Sequence, residues 1–217
     1  MEFNTLEVQG FDSAIHGMRN PLKSYDKADS KWILDDTDEH FIIGPSDYKL
    51  AKGLWKGGTE HRKWMRQVVV WVEITAPRYW WSEFDTYKIG TSANSESTMH
   101  TILKESFNQS QFEWPQFNGS DKIIENIFNE YINSIKLIRD YANKTEGEDK
   151  EHYQQILKAM LPESFLQKRT ICLNYEVLAT MYRQRKNHRL PQWSKDFVSW
   201  VNTLPYNEFI TGNWPNE

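Results

Sequence analysis

Val68-Val69-Val70-Trp71-Val72-Glu73-Ile74 is a nearly unbroken apolar and β-branched run. Such side chains are stiff at χ1 and pack well on a pleated surface. A run without polar alternation reads as a strand covered on both faces, and Pro77 limits its extension because proline donates no ladder hydrogen bond. That strand needs cover, and helical periodicity elsewhere supplies it. Ser46 to Lys56 places Leu50, Leu54 and Trp55 on one side of a helix, with Ser46 as the expected N-cap and Gly57-Gly58 as the stop. From Asp121 to Tyr141, the set Ile124, Ile127, Phe128, Tyr131, Ile135 and Ile138 recurs at three- and four-residue intervals, the spacing of one helix face against a core. Thr145 to Asp149 is a polar break, and Ile156, Leu157 and Met160 then mark a second helix ending before Pro162.

The remainder is less regular. Leu6-Glu7-Val8 reads as a short first strand, and Phe11 to Gly17 as a turn or the start of a helix. Asn20 to Pro45 is polar and acidic and is expected to be a surface excursion. A helix beginning near Thr170 carries Leu173, Val177, Leu178 and Met181, and a further one near Pro191 carries Trp193, Phe197, Trp200, Val201 and Leu204. The fold class is therefore α/β or α+β. At 217 residues, 39% of them hydrophobic, a single domain spanning residues 1–217 is expected.

Composition excludes several functions. A net charge of -4 argues against a polymeric nucleic-acid partner, which calls for a basic surplus. Cys172 is the only cysteine, so there is no internal disulfide or multi-cysteine metal site, and a cytoplasmic setting is expected. Met1 to Gly10 lacks the pattern of a secretory leader, and no apolar stretch approaches the roughly 20 residues that span a bilayer, so no membrane partner is expected. Asp38-Glu39-His40, within the acidic segment 35–40, reads as a solvated loop rather than a metal site, and no metal is expected. Cys172 reads as a structural thiol inside a helix, with no visible source of activation.

Two stretches carry candidate chemistry. Lys88 to His100 packs hydroxyls and amides around Gly90; such a turn suits a phosphate or a pyrimidine edge, although by itself a serine-capped surface loop explains it better. Arg183, Arg185, Lys186, His188 and Arg189 close a helix where the dipole favours solvated cations, unless one or two turn inward to clamp a phosphate.

Three separated stretches together resemble the flavin-dependent thymidylate synthases. Gly58-Thr59-Glu60-His61-Arg62-Lys63-Trp64 and the strand ending Ala76-Pro77 resemble the family's Gly-His-x-Ser-Pro-Phe-Glu-His segment and the strand after it. Ser92, Asn94 and Ser97 match part of its signature if one residue is inserted after Pro77. Leu161-Pro162, Ser164, Asn174, Leu178, Arg185 and Gln192 match a third stretch without a gap, and Met18-Arg19-Asn20 is a weaker echo. The resemblance covers roughly residues 45 to 200. It implies a mixed, mainly antiparallel sheet packed with long helices, and a homo-oligomer, a tetramer in the family. It implies FAD as cofactor, with NADPH and methylene-tetrahydrofolate as co-substrates in methylating dUMP. His61, Lys88, Ser92, Asn94 and Asn174 would meet the flavin, and Ser97, Arg185 and Gln192 the pyrimidine nucleotide. Ser97 and Arg185 would take the catalytic role.

The departures concern charge. The family's Arg-His-Arg falls on Thr86-Tyr87-Lys88 or Tyr87-Lys88-Ile89, its Glu-His on Arg66-Gln67, its signature glutamate on Ser95, and its last signature arginine on Met99. Its Asn-x-Arg becomes Asn174-Tyr175-Glu176. Losing two or three charge-assisted phosphate contacts of ~1.5 to 3 kcal/mol each weakens binding by orders of magnitude, unless Arg62, Lys63, Arg66 or Arg78 substitutes. The alternative is a nucleotide-binding or regulatory protein that kept the fold and lost flavin chemistry. A third reading is an assembly protein using Trp71, Trp80, Trp81 and Trp114.

Overall fold

The computed structural model describes residues 1–35, 39–114 and 121–215. The chain has an α+β fold with an antiparallel sheet and several helices. In order, the elements that position the site are β1 (Glu2–Gln9), α1 (Phe11–Met18), β2 (Lys31–Leu34), β3 (Glu39–Ile42), α2 (Pro45–Lys56), β4 (Val69–Pro77) and α3 (Arg78–Phe84). Next come β5 (Thr91–Ser95), α4 (Thr98–Thr101), α5 (Lys122–Ala142), α6 (Gly147–Met160), β6 (Leu166–Asn174) and α7 (Tyr175–Arg185). A π-helical segment, Gln192–Phe197, runs into α8 (Val198–Val201), and α9 (Glu208–Thr211) closes the chain. Four strands form one sheet in the order β1-β4-β6-β5.

The chain divides into two compact units, each made of separate stretches. One comprises Met1–Glu2, Ile74–Thr86 and Asn94–Arg169; the other Phe3–Glu73, Tyr87–Ala93 and Thr170–Glu217. The strands β4, β5 and β6 each run from one unit into the other. In the first unit, α5 and α6 pack around Phe107, Phe112, Phe128, Phe165, Ile135 and Leu157. Trp80 and Trp81 are buried there, and the Trp81 indole N–H donates to the Gln167 carbonyl at 3.0 Å. In the second unit, Trp64, Met65, Tyr175, Met181, Trp193 and Phe209 are buried.

β4 alternates buried and half-buried positions, and Pro77 ends it as expected. Other expectations are corrected. The stretch from Asn20 to Pro45 contains the antiparallel hairpin β2–β3, with Trp32 opposite Phe41. Its strands of four residues are too short and too exposed to show a burial pattern in sequence. Asp36, Thr37 and Asp38 of the acidic segment lie outside the described residues. Ser46 does not cap α2: the helix starts at Pro45, and the Asp29 carboxylate accepts from the Ser46 and Asp47 N–H groups at 2.8 and 3.0 Å. A carboxylate from a distant loop thus satisfies donors that a local serine was expected to take.

On α5, Ile124 and Ile127 face outward while Phe128, Ile132 and Ile135 are buried. Cys172 is half-buried in β6, not in a helix, because Asn174 caps α7 and places the helix start at Tyr175. Burial pushes the Cys172 thiol up, which disfavours the thiolate. Part of the polar loop after Lys88 is strand β5, with only Thr91 out of full exposure. Among the described residues, no helix is long and apolar enough to cross a membrane.

Candidate functional site

The helix α7 carries two of the expected site residues at opposite ends. Asn174 is its N-cap: the side-chain oxygen accepts from the Val177 N–H at 3.0 Å. Arg185 lies in its last turn, so the two are roughly 16 Å apart along the axis at 1.5 Å per residue. They do not converge; a single segment, Tyr87 to Thr91, meets the helix at both places.

At the C-terminal end, the Arg185 Nε donates to the Tyr87 hydroxyl at 3.0 Å, and that hydroxyl donates to the Gln184 Oε1 at 2.7 Å. The guanidinium carbon lies 5.0 Å from the Trp193 ring centre and 5.7 Å from that of Tyr87. Trp193 is fully buried, and Tyr87 meets it edge-on. Two aromatic side chains, one of them also through its hydroxyl, therefore hold a half-buried guanidinium in one orientation. Arginine's planar fork, so held, suits a phosphate or a carbonyl oxygen. Sequence reasoning missed Tyr87 and Trp193. Their signal was position: Tyr87 falls where the family pattern has Arg-His-Arg, and Trp193 directly follows Gln192.

At the N-terminal end, Gly90 approaches the cap. It has φ +79°, and a Cβ there would lie 2.9 Å from both Asn174 Nδ2 and Val177 Cγ2. Only glycine accepts both the left-handed backbone and the close approach. The Thr91 hydroxyl donates to the Tyr87 carbonyl, closing the turn that spans both sites.

The other expected residues are dispersed. Lys88 and Ser92 are exposed in the same unit, and the exposed His61 ring lies over Gly57, where a Cβ would come within 3.1 Å of its Cδ2. Gln192 is half-buried at the start of the π-helical segment, a geometry that recurs at functional sites. Asn94 and Ser97 belong to the other unit. There, exposed Ser97 begins α4 without a side-chain capping bond, and its carbonyl accepts from the His100 and Thr101 N–H groups at 3.0 and 3.1 Å. The Lys158 ammonium, donating to the Thr98 hydroxyl at 2.6 Å, ties α4 to α6.

Glu176, where the family pattern has arginine, is buried in the first turn of α7. Burial raises its carboxyl above the usual range, against the opposing pull of Arg62, Arg66 and Arg183. Its Oε2 makes no hydrogen bond among the described residues. Within one unit, the hydroxyl of Ser92 and the amide of Asn174 suit flavin carbonyls. The pyrophosphate of FAD needs cations, yet this set supplies only Lys88, with a carboxylate beside Asn174. These residues suit the isoalloxazine end of the cofactor, and the pyrophosphate would draw its cations from outside this set.

The sequence matches no protein-family model and no curated protein. Its structure is similar to two solved structures of the flavin-dependent thymidylate synthase ThyX from Helicobacter pylori, both with FAD and dUMP. Each shares 17% identity with this chain, at a TM-score of 0.68 over 97% of both chains. At that identity the likeness is one of fold, and it extends over nearly the whole length. The chain therefore has the fold of the flavin-dependent thymidylate synthases.

Proposed function

We propose that this protein is a divergent flavin-dependent thymidylate synthase-like enzyme. In this reading it methylates dUMP or a related pyrimidine nucleotide, using a folate-derived carbon and reduced flavin. FAD is its cofactor, and NADPH and methylene-tetrahydrofolate are its co-substrates. The observation that carries the reading is Arg185, oriented by Tyr87 and Trp193 at the end of α7, within a chain whose whole fold is that of proteins solved with FAD and dUMP. Arg185 would bind and polarise the nucleotide, with Ser97 and Gln192 contributing to the same substrate. His61, Lys88, Ser92, Asn94 and Asn174 would meet the cofactor. A cytoplasmic homo-oligomer, a tetramer by the sequence resemblance, belongs to this proposal.

Arg185→Ala is expected to weaken dUMP binding between about tenfold and a hundredfold, the loss of one charge-assisted contact. Calorimetric titration measures it, and an unchanged Kd would remove Arg185 from the site. The cofactor is tested separately by the absorbance spectrum of purified protein, before and after incubation with FAD and removal of the excess. Flavin bands support the enzyme; protein that takes up none overturns it.

A second reading is favoured by Glu176, a buried carboxyl group at the position where the family pattern has an arginine. Here the protein binds a pyrimidine nucleotide for regulation and has lost flavin chemistry. Uridylate or thymidylate then raises the melting temperature while flavin does not, and no shift with any nucleotide ends this reading.

The chain is also proposed to fold as one domain, since β4, β5 and β6 run unbroken through both units. Tryptophan fluorescence and far-UV circular dichroism are expected to report one coincident urea transition. Two separated transitions would divide the chain.

A further inference from the structure

We propose that a small pocket on the flank of α7 is a binding site for a phosphoryl oxyanion. The pocket, of about 140 Å³, is lined by Arg62, Arg183 and Lys186 together with Thr59, Thr180 and Trp55. Arg62, named above as a cation that could replace a lost phosphate contact, lines it, but none of the residues proposed to hold the nucleotide or the flavin does; binding of inorganic phosphate tests it without either ligand. Thr180, Arg183 and Lys186 succeed one another at three-residue intervals, so the end of α7 presents them on one side. Arg62 reaches the same cavity from a different segment, the 3₁₀ turn Arg62–Arg66.

Three features separate this cluster from the ordinary solvated end of a helix. The helix dipole accounts for cations at Arg183 and Lys186, but not for Arg62. Arg62 is held in place: its guanidinium carbon lies 4.3 Å from the Trp55 ring centre, and its Nε donates to the Trp55 carbonyl at 3.0 Å. Among the described residues, no carboxylate forms an ion pair with any of the three cations. In a chain of net charge -4, three such cations gather around one cavity. An anion placed there gains attraction without displacing an existing partner.

Size and donor chemistry narrow the ligand. The cavity is well below the roughly 300 Å³ at which pockets for whole small molecules begin, so a phosphate-sized group fits and a flavin does not. Guanidinium forks, an ammonium and threonine hydroxyls are all donors to a tetrahedral oxyanion. The ligand is free phosphate or the phosphate end of a nucleotide. Glu176, close enough to act electrostatically on Arg62 and Arg183, lowers the positive potential of the site without occupying it.

The test is calorimetric titration of the full chain at fixed ionic strength with inorganic phosphate, deoxyuridine monophosphate and deoxyuridine. Saturable binding of phosphate is expected, weakened at least about tenfold in the double variant Arg183→Gln/Lys186→Gln. Both positions are exposed, so the fold is expected to persist, with an unchanged circular dichroism spectrum as the check. Arg189→Gln removes the same kind of charge outside the pocket and is expected to leave the Kd within about twofold. Displacement of phosphate by the monophosphate, dependent on Arg183 and Lys186, identifies a nucleotide as the source; phosphate binding without displacement supports the free anion. Absence of saturable phosphate binding, or an equal loss in Arg189→Gln, overturns the proposal. So does deoxyuridine binding that the double variant abolishes.

Discussion

Asp47→Ala is expected to lower the free energy of unfolding by about 3 to 5 kcal/mol, because it strands a buried guanidinium. Arg19 and Asp47 are 5% and 1% exposed, and their closest approach is 2.7 Å. The Asp47 Oδ1 also accepts from the Arg19 Nε at 2.8 Å, while Oδ2 accepts from the Asp29 and Ser30 N–H groups at 3.0 Å each and from the Ser30 hydroxyl at 2.7 Å. One carboxylate thus fixes the segment before the β2–β3 hairpin against the first turn of α2. Without it, the buried guanidinium and three part-buried donors lose their acceptor together. Urea unfolding measures the effect, and a loss below about 1 kcal/mol would show that water replaces the carboxylate at little cost.

The same residue predicts a pH dependence. Burial by itself would raise the Asp47 carboxyl, but hydrogen bonds from Ser30, the Asp29 N–H and Arg19 prevail and hold it below the ordinary value of 3.8. Its folded pKa is therefore lower than its unfolded pKa. The resulting stabilisation is fully present above the unfolded value and is lost as pH falls through the folded one. The difference in melting temperature between the native protein and Asp47→Asn is expected to be constant near neutrality and to shrink below about pH 4. A difference that does not change with pH would assign the effect to packing.

Trp193→Ala is expected to destabilise the fold by about 3 to 5 kcal/mol and to weaken nucleotide binding as well. The indole is fully buried, 5.3 Å from the Phe197 ring, so truncation leaves a large cavity. It also removes the surface beside which the Arg185 guanidinium lies. Trp193→Phe keeps an aromatic face and is expected to recover part of both losses. Dissociation constants are compared well below each variant's melting temperature, where all are folded. If Trp193→Ala loses stability while its Kd for dUMP stays unchanged, Trp193 fills the core and does not position Arg185.

Elements governed by local sterics were legible in the sequence. The β-branched run became β4, and the periodic stretch after Asp121 became α5. Periodicity marked an apolar stripe on α5 but not what covers it, so Ile124 and Ile127 face outward. In the other direction, β2 and β3 went unread because their residues face solvent and their pairing is their main organising contact. Arg19 was visible only as a weak echo of a family motif, since nothing near it in sequence identifies Asp47 as its partner. Cys172 was assigned to a helix because β6 and α7 abut directly and share an apolar pattern across Asn174.

The site divides along the same line. Sequence by itself determined that Asn174 and Arg185 stand near one helix, that Gly90 lies in a hydroxyl-rich turn, and that the chain resembles the fold it adopts. Those features rest on capping, on the conformational freedom of glycine, and on spacing within short stretches. Tertiary structure alone decided that Tyr87 and Trp193 orient Arg185, that Gly90 lies against Asn174, and that Arg62 meets Arg183 and Lys186 around one pocket. The physical reason is that these contacts join residues far apart in sequence. Their geometry is set by how buried rings, caps and turns pack together, which no local propensity encodes.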